Sequence, residues 1–79
     1  MVGYKLVSLN KKTAVYNYYP ENNLNNKGVI SFDRNNKQMS ITDRAKDDEF
    51  SFYSAHMLNM LQESDETGDF QESGYIAWY

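Results

Sequence analysis

The sequence predicts an α+β fold: an antiparallel sheet of two β-hairpins plus a short C-terminal strand, with one face covered by a single amphipathic helix. Three observations predict it. Four segments in the first half alternate apolar and polar residues as strands do. One segment, Asp48–Glu63, repeats its apolar residues at steps of three and four, as a helix does. An apolar, aromatic hexapeptide ends the sequence. The predicted order is β-β-β-β-α-β, in one small domain over residues 1–79.

The first predicted hairpin joins Tyr4–Asn10, which alternates in polarity, to Thr13–Tyr19, which is rich in β-branched and aromatic residues. Pro20 ends the second strand, because proline cannot donate to a sheet ladder. An Asn-rich loop then runs to Gly28, with Leu24 as its only apolar residue. In the predicted register, the residues that face the core are Val7, Leu9, Ala14 and Tyr16.

The second predicted hairpin pairs Gly28–Asp33 with Gln38–Thr42. A two-residue turn at Asn35 and Asn36 fits, because asparagine tolerates the positive φ of a type I′ turn. One face of this hairpin is apolar and the other polar, which is typical of a sheet covered on one side. The apolar pairs in this register are Phe32 with Met39 and Ile30 with Ile41.

The predicted helix begins after Asp47 or Asp48, either of which can serve as its N-cap, and ends near Gln62–Ser64. An acidic loop over residues 65–73 follows and is anchored by Phe70. The apolar stripe that should lie on the sheet comprises Phe50, Tyr53, Met57, Met60 and Leu61, widened by Leu58. The final strand, Gly74–Tyr79, should pair with an earlier strand of this chain or of a partner, and Ile76 or Trp78 should close one edge of the core.

The charges are distributed unevenly along the chain. The net charge is −3, but residues 1–42 carry +4 and residues 43–79 carry −7. Such a chain can present a basic face and an acidic face. The simpler interpretation is that the two halves attract each other within the fold.

Several kinds of chemistry are not predicted. The chain has no cysteine and one histidine, His56, so an ordinary zinc site cannot be assembled from it. Asp65, Thr67 and Asp69 alternate as in an EF-hand, but Phe70 stands where that loop needs glycine. The sequence does not decide whether loop 65–73 binds a cation weakly. No phosphate-binding loop or nucleophile elbow occurs, so we expect no cofactor, no metal and no enzymatic activity.

The predicted function is a non-enzymatic protein-interaction module that self-associates. Tyrosine and tryptophan are enriched at protein interfaces, where one part of the side chain is buried against apolar groups and the polar end can reach water. The partner would be a second copy, forming a homodimer, or another protein. The residues predicted to contact it are Tyr18, Tyr19, Tyr75, Trp78 and Tyr79.

Two alternatives remain open. The first is single-stranded nucleic-acid binding on a basic, aromatic sheet face, although a sequence pI of about 4.9 argues against it. The residues it would use are Lys5, Lys11, Lys12, Tyr18 and Tyr19. The second is an acidic mimic of nucleic acid that inhibits a nucleic-acid-binding protein. No apolar run approaches the roughly 20 residues of a membrane span, so we expect a soluble, cytoplasmic protein.

Overall fold

The computed structural model describes residues 1–78, which contain five strands and one helix. The elements are β1 (Val2–Leu9), β2 (Thr13–Pro20), β3 (Gly28–Asp33), β4 (Gln38–Asp43), α1 (Phe52–Thr67) and β5 (Ser73–Ile76). The strands form one antiparallel sheet in the order β4-β3-β2-β1-β5. Helix α1 packs on one face of this sheet. The predicted fold class and element order are confirmed.

The core lies between α1 and the sheet. Met57 and Leu61 of the predicted helix stripe are fully buried. Phe70, just after the helix, is also buried and anchors the segment that follows. Burying one such side chain stabilises a fold by about 1.5–3 kcal/mol, so the stripe holds the helix to the sheet. The buried apolar residues are Val2, Ala14, Tyr16, Tyr18, Ile30, Phe32, Ala45, Met57, Leu61 and Phe70.

A β-bulge in β1 changes which of its residues face the core. Leu6 pairs with Tyr16 but the next pair is Ser8 with Val15, so Val7 is an extra residue. An extra residue reverses the alternation of side chains, so the first half of β1 presents Val2, Tyr4 and Leu6 to the core. The prediction that Val7 faces the core is therefore wrong, and its side chain is 56% exposed.

Leu9 also lies outside the core. It pairs with Ala14, as expected of a residue on that face, but it stands at the end of β1 and is exposed. The predicted helix stripe also includes one residue that lies outside the core. Phe50 precedes α1 and is 88% exposed, so it does not pack on the sheet.

The second hairpin has the predicted register but a different turn. Phe32 pairs with Met39 and Ile30 with Ile41, as expected. The positive φ, 62°, falls on Lys37 rather than on either asparagine. The Asp33 carboxylate accepts the backbone N–H groups of residues 35 and 36, at 2.8 and 3.3 Å. This Asx-type arrangement makes a four-residue loop, because it satisfies those N–H groups locally.

Helix α1 begins and ends later than predicted. It begins at Phe52, and Asp48 still reaches its first turn, since one carboxylate oxygen accepts the Tyr53 N–H at 2.7 Å. At the other end the helix runs to Thr67, so the predicted loop 65–73 shrinks to a shorter segment that follows Gly68. The last turn tolerates Asp65 because Arg34 and Lys37 of the second hairpin pair with its carboxylate.

Candidate functional site

The sheet face opposite α1 is not covered by a helix. Tyr4 and Tyr18 point towards α1, so their strand neighbours point the other way. Lys5, Tyr19 and Tyr75 therefore share the open face with the small residue Gly3. Three residues that the sequence assigned to binding thus lie together on one surface.

These residues border a groove of about 470 Å³, which we call the tyrosine groove. Gly3 of β1 pairs with Tyr19 of β2 on one side and with Tyr75 of β5 on the other. The two tyrosines therefore stand two strands apart, with a residue without a side chain between them. Tyr75 is 63% exposed and Tyr19 is partly exposed. The residues that line the groove are Tyr4, Lys5, Tyr19, Asn22, Leu24, Ser73, Gly74 and Tyr75.

The turn after β2 supplies the floor of the tyrosine groove. Asn22 has a φ of 57°, and its N–H donates to the Tyr19 carbonyl at 2.9 Å. Its side chain lies on Gly3, where a β-carbon would collide with the amide oxygen. Only glycine allows this close approach at position 3. The floor is therefore a polar amide group rather than bare backbone.

Lys5 supplies the positive charge of the groove. It pairs with Asn17 of β2 and Ser73 of β5, which are both neutral. Within residues 1–78 the ion pairs involve other residues, and none includes Lys5. Its ammonium group is therefore available to an anionic ligand.

A second surface, which we call the aromatic cluster, lies on the helix side of β5. The Trp78 indole stacks on the His56 ring, with centroids 3.7 Å apart and planes 7° apart. Phe52 packs edge-on against both rings, at 5.8 Å from Trp78 and 5.6 Å from His56. Tyr53 completes the cluster. Phe52 is 57% exposed, so the cluster presents an apolar surface to solvent.

The outer edge of β5 lies between the tyrosine groove and the aromatic cluster. The Leu6 N–H donates to the Glu72 carbonyl at 2.7 Å. Because hydrogen-bonded pairs alternate along an antiparallel ladder, Gly74 and Ile76 also bond to β1. The backbone groups of Ser73 and Tyr75 then point away from β1, and no further strand lies beside them in the part of the chain described.

The structure separates some of the predicted binding residues. Tyr18 is fully buried and its hydroxyl donates to Asp48 at 2.7 Å, so it is a core residue and cannot contact a partner. Lys11 and Lys12 lie at the tip of the first hairpin, at the opposite end of β1 from the groove. Tyr79 lies outside the described residues.

Sequence reasoning missed Phe52 and Asn22. A signal for Phe52 was present, because it stands four residues before His56 and so shares a helix face with it. No signal marked Asn22, whose role depends on the non-local position of Gly3.

Two absences in this part of the chain bear on its chemistry. Over residues 1–78, no three His, Asp or Glu side chains are grouped closely enough to hold a metal ion. No helix of the described chain combines the length and apolar character needed to cross a membrane.

The tyrosine groove is therefore an open groove with aromatic walls and a basic group, and the aromatic cluster is an exposed apolar surface. The unpaired edge of β5 lies between them. Neither surface carries a recognisable catalytic constellation among the described residues. No protein-family model, curated protein or solved structure matches this chain.

Proposed function

We propose that this protein is a non-enzymatic interaction module that self-associates through the outer edge of β5. One observation supports this proposal most directly: an unpaired strand edge is flanked by exposed aromatic side chains on both faces. Tyr75 stands on the open face, and Phe52 and Trp78 stand on the helix face.

The edge of β5 is short, at four residues, but it lacks the other features that keep strand edges from pairing. Natural sheets protect their edges with lysine, proline or bulges. Ser73–Ile76 has no lysine or proline, and its pairing with β1 is regular. The outward N–H and C=O groups of Ser73 and Tyr75 can therefore bond to a second strand.

A two-fold axis beside β5 would pair this strand with its own copy. Two-fold symmetry is the commonest arrangement of homodimers, and antiparallel addition of one strand to its copy satisfies it. The two Tyr75 rings would then meet on the open face, and the two aromatic clusters would extend each other. The strand has only four residues, so the interface is small, and interfaces below about 1,200 Å² typically form weak complexes. We expect a dimer that depends on concentration.

Sedimentation equilibrium from micromolar to millimolar concentration tests the proposal. Tyr75→Pro removes one N–H that points away from β1 and leaves the bonds to β1 intact, as tolerated on a strand edge. We expect the wild type to dimerise and Tyr75→Pro to remain monomeric. Tyr75→Ala keeps the N–H and loses only the ring, so it should dimerise about tenfold more weakly.

The matched control is Val7→Ala, which removes an exposed apolar side chain away from β5. It should dimerise as the wild type does. A wild type that stays monomeric at millimolar concentration contradicts the proposal. So does a folded Tyr75→Pro variant that dimerises normally, with folding verified by circular dichroism.

Two other hypotheses from the sequence concern nucleic-acid mimicry and cellular location. An acidic nucleic-acid mimic needs outward carboxylates, whereas Asp48 bonds to Tyr18 and Asp65 bonds to Arg34. Those two carboxylates therefore lie inside the fold, but the other seven acids of residues 43–79 are exposed, so the mimic stays a prediction. A cytoplasmic location stays a prediction, and fractionation of cells expressing the tagged chain would test it.

A further inference from the structure

We propose that the tyrosine groove binds a nucleotide unit, with the planar base between Tyr19 and Tyr75 and the phosphate beside Lys5. This inference does not require self-association, because a single copy of the chain supplies Tyr19, Tyr75 and Lys5, although Tyr75 also flanks the proposed dimer edge.

The first reason is the spacing of the two tyrosines. They flank Gly3 on the two neighbouring strands, so their α-carbons stand two strand spacings apart, or about 9–10 Å. Aromatic pairs favour centroid separations of about 4.5–7 Å, so an inserted ring in contact with both walls needs at least about 9 Å. Glycine at position 3 makes room for the Asn22 amide, so one planar ring would lie above that amide, between the two tyrosines.

The second reason is the polar floor. The Asn22 side chain lies on Gly3 and has no hydrogen-bond partner among residues 1–78. A primary amide carries both donors and acceptors. The Asn22 amide can therefore form hydrogen bonds with the polar edge of a base held between the tyrosines. A purely apolar ring has no such polar edge.

The third reason is the charge next to the slot. Lys5 lies two residues from Gly3 along β1, about 6–7 Å away on the same face. The acid closest in sequence to the floor is Glu21, but its carboxylate accepts the Tyr53 hydroxyl at 2.9 Å. The groove therefore keeps a local positive charge in a chain that is acidic as a whole, and this charge complements a phosphate.

The same base-and-phosphate chemistry occurs in a free nucleotide and in single-stranded nucleic acid. The groove volume of about 470 Å³ lies within the range of about 300–1,000 Å³ typical of small-molecule sites. The groove is also open, so a strand could continue past it. The experiment therefore compares both sources.

The test is a titration of ¹⁵N-labelled protein at low salt, followed by NMR, with 5′-AMP in one arm and a ten-residue oligodeoxyadenylate in the other. We expect the amides of Gly3, Lys5 and Asn22 to shift, and those of α1 to stay unchanged. Equal affinity per nucleotide in both arms identifies a mononucleotide site. Tighter binding of the oligonucleotide with a steep salt dependence identifies a strand that follows the sheet.

Three variants locate the binding. Tyr19→Ala should weaken binding by about tenfold, because stacking on one aromatic side chain accounts for roughly that factor. Tyr19→Phe keeps the ring and should bind as the wild type does. Lys5→Glu should weaken binding by at least tenfold, whereas the matched control Lys46→Glu makes the same charge change at an exposed lysine far along the chain and should change affinity less than twofold.

The proposal is overturned if neither probe shifts the groove amides at millimolar concentration. It is also overturned if Lys46→Glu weakens binding as much as Lys5→Glu does, since that result shows general charge attraction rather than a site. Because the readout maps individual amides, loss of dimerisation would leave a positive result intact.

Discussion

Single side chains account for much of how this small chain holds together. Asp48 is almost fully buried and serves two elements at once. One carboxylate oxygen accepts the N–H of Tyr53 at the start of α1, and the other accepts the Tyr18 hydroxyl from the sheet. The same tyrosine hydroxyl accepts the Ala45 N–H at 3.1 Å. One carboxylate thus joins the helix, the loop before it and strand β2.

Asp48→Ala should lower the free energy of unfolding by roughly 2–4 kcal/mol. It removes the acceptor at the helix N-terminus and leaves the buried Tyr18 hydroxyl without its acceptor. Urea denaturation followed by circular dichroism measures the loss. Its neighbour Asp47 is exposed and accepts one hydrogen bond from Asn26 at 2.8 Å. Asp47→Ala should cost less than about 1 kcal/mol, and equal losses would contradict the role assigned to Asp48.

At the level of the elements, the helix end shows how tertiary contacts overrule a local rule. Acids near a helix C-terminus are unfavourable because of the helix dipole. Asp65 nevertheless lies within α1, and its side chain is 4% exposed, because Arg34 Nε bonds to it at 2.7 Å and Lys37 pairs with its other oxygen. The guanidinium of Arg34 also lies 5.0 Å from the centre of the Phe70 ring. The second hairpin is thereby attached to the end of the helix.

Asp65→Ala should destabilise the fold by about 1–3 kcal/mol, less than a fully buried pair, because Lys37 and part of Arg34 can return to water. Thermal unfolding of this variant measures the effect. The control is Glu66→Ala, which removes an exposed acid from the same turn. It should be neutral or slightly stabilising, since it also relieves the dipole. A loss in the control as large as that of Asp65→Ala would show that removing any acid from this turn, rather than losing the ion pairs, explains the result.

For the whole molecule, stability should depend on pH in the alkaline range. Burial raises the pKa of Tyr16 to about 12 and, with the hydrogen bond to Asp48 acting in the same direction, that of Tyr18 to about 12. In the unfolded chain a tyrosine ionises near pH 10. Between pH 10 and about 12 the unfolded state therefore loses protons first, so the free energy of unfolding falls as the pH rises.

Below pH 10 both tyrosines are protonated in both states and contribute no pH dependence. Above pH 10, each of the two tyrosines should lower the free energy of unfolding by on the order of 1 kcal/mol per pH unit. Urea midpoints measured at increasing pH test this. Tyr16→Phe loses the hydrogen bond from its hydroxyl to the Gln71 carbonyl, 2.6 Å, so it should be less stable at neutral pH. The urea midpoint of Tyr16→Phe should nevertheless fall less steeply above pH 10 than that of the wild type. Parallel falls in the two proteins would refute the role of Tyr16 in the pH dependence.

Local periodicity was enough to predict the elements and their order. The alternation in residues 28–42 defines a register in which Phe32 meets Met39, because a one-residue slip would expose every apolar side chain. The stripe of Met57 and Leu61 likewise indicates which side of the helix is buried, since residues four apart lie on one face. These properties depend only on neighbours along the chain.

The binding surfaces could not be obtained in this way. The bulge at Val7, the burial of Tyr18 and the partners of Asp65 all depend on residues distant in sequence. Above all, Tyr19 and Tyr75 face each other across Gly3 only because β5 returns to the free side of β1. Alternation along a strand determines the face on which each side chain lies. The position of that strand in the sheet depends on which strand edges and apolar surfaces remain unpaired after the other elements have packed.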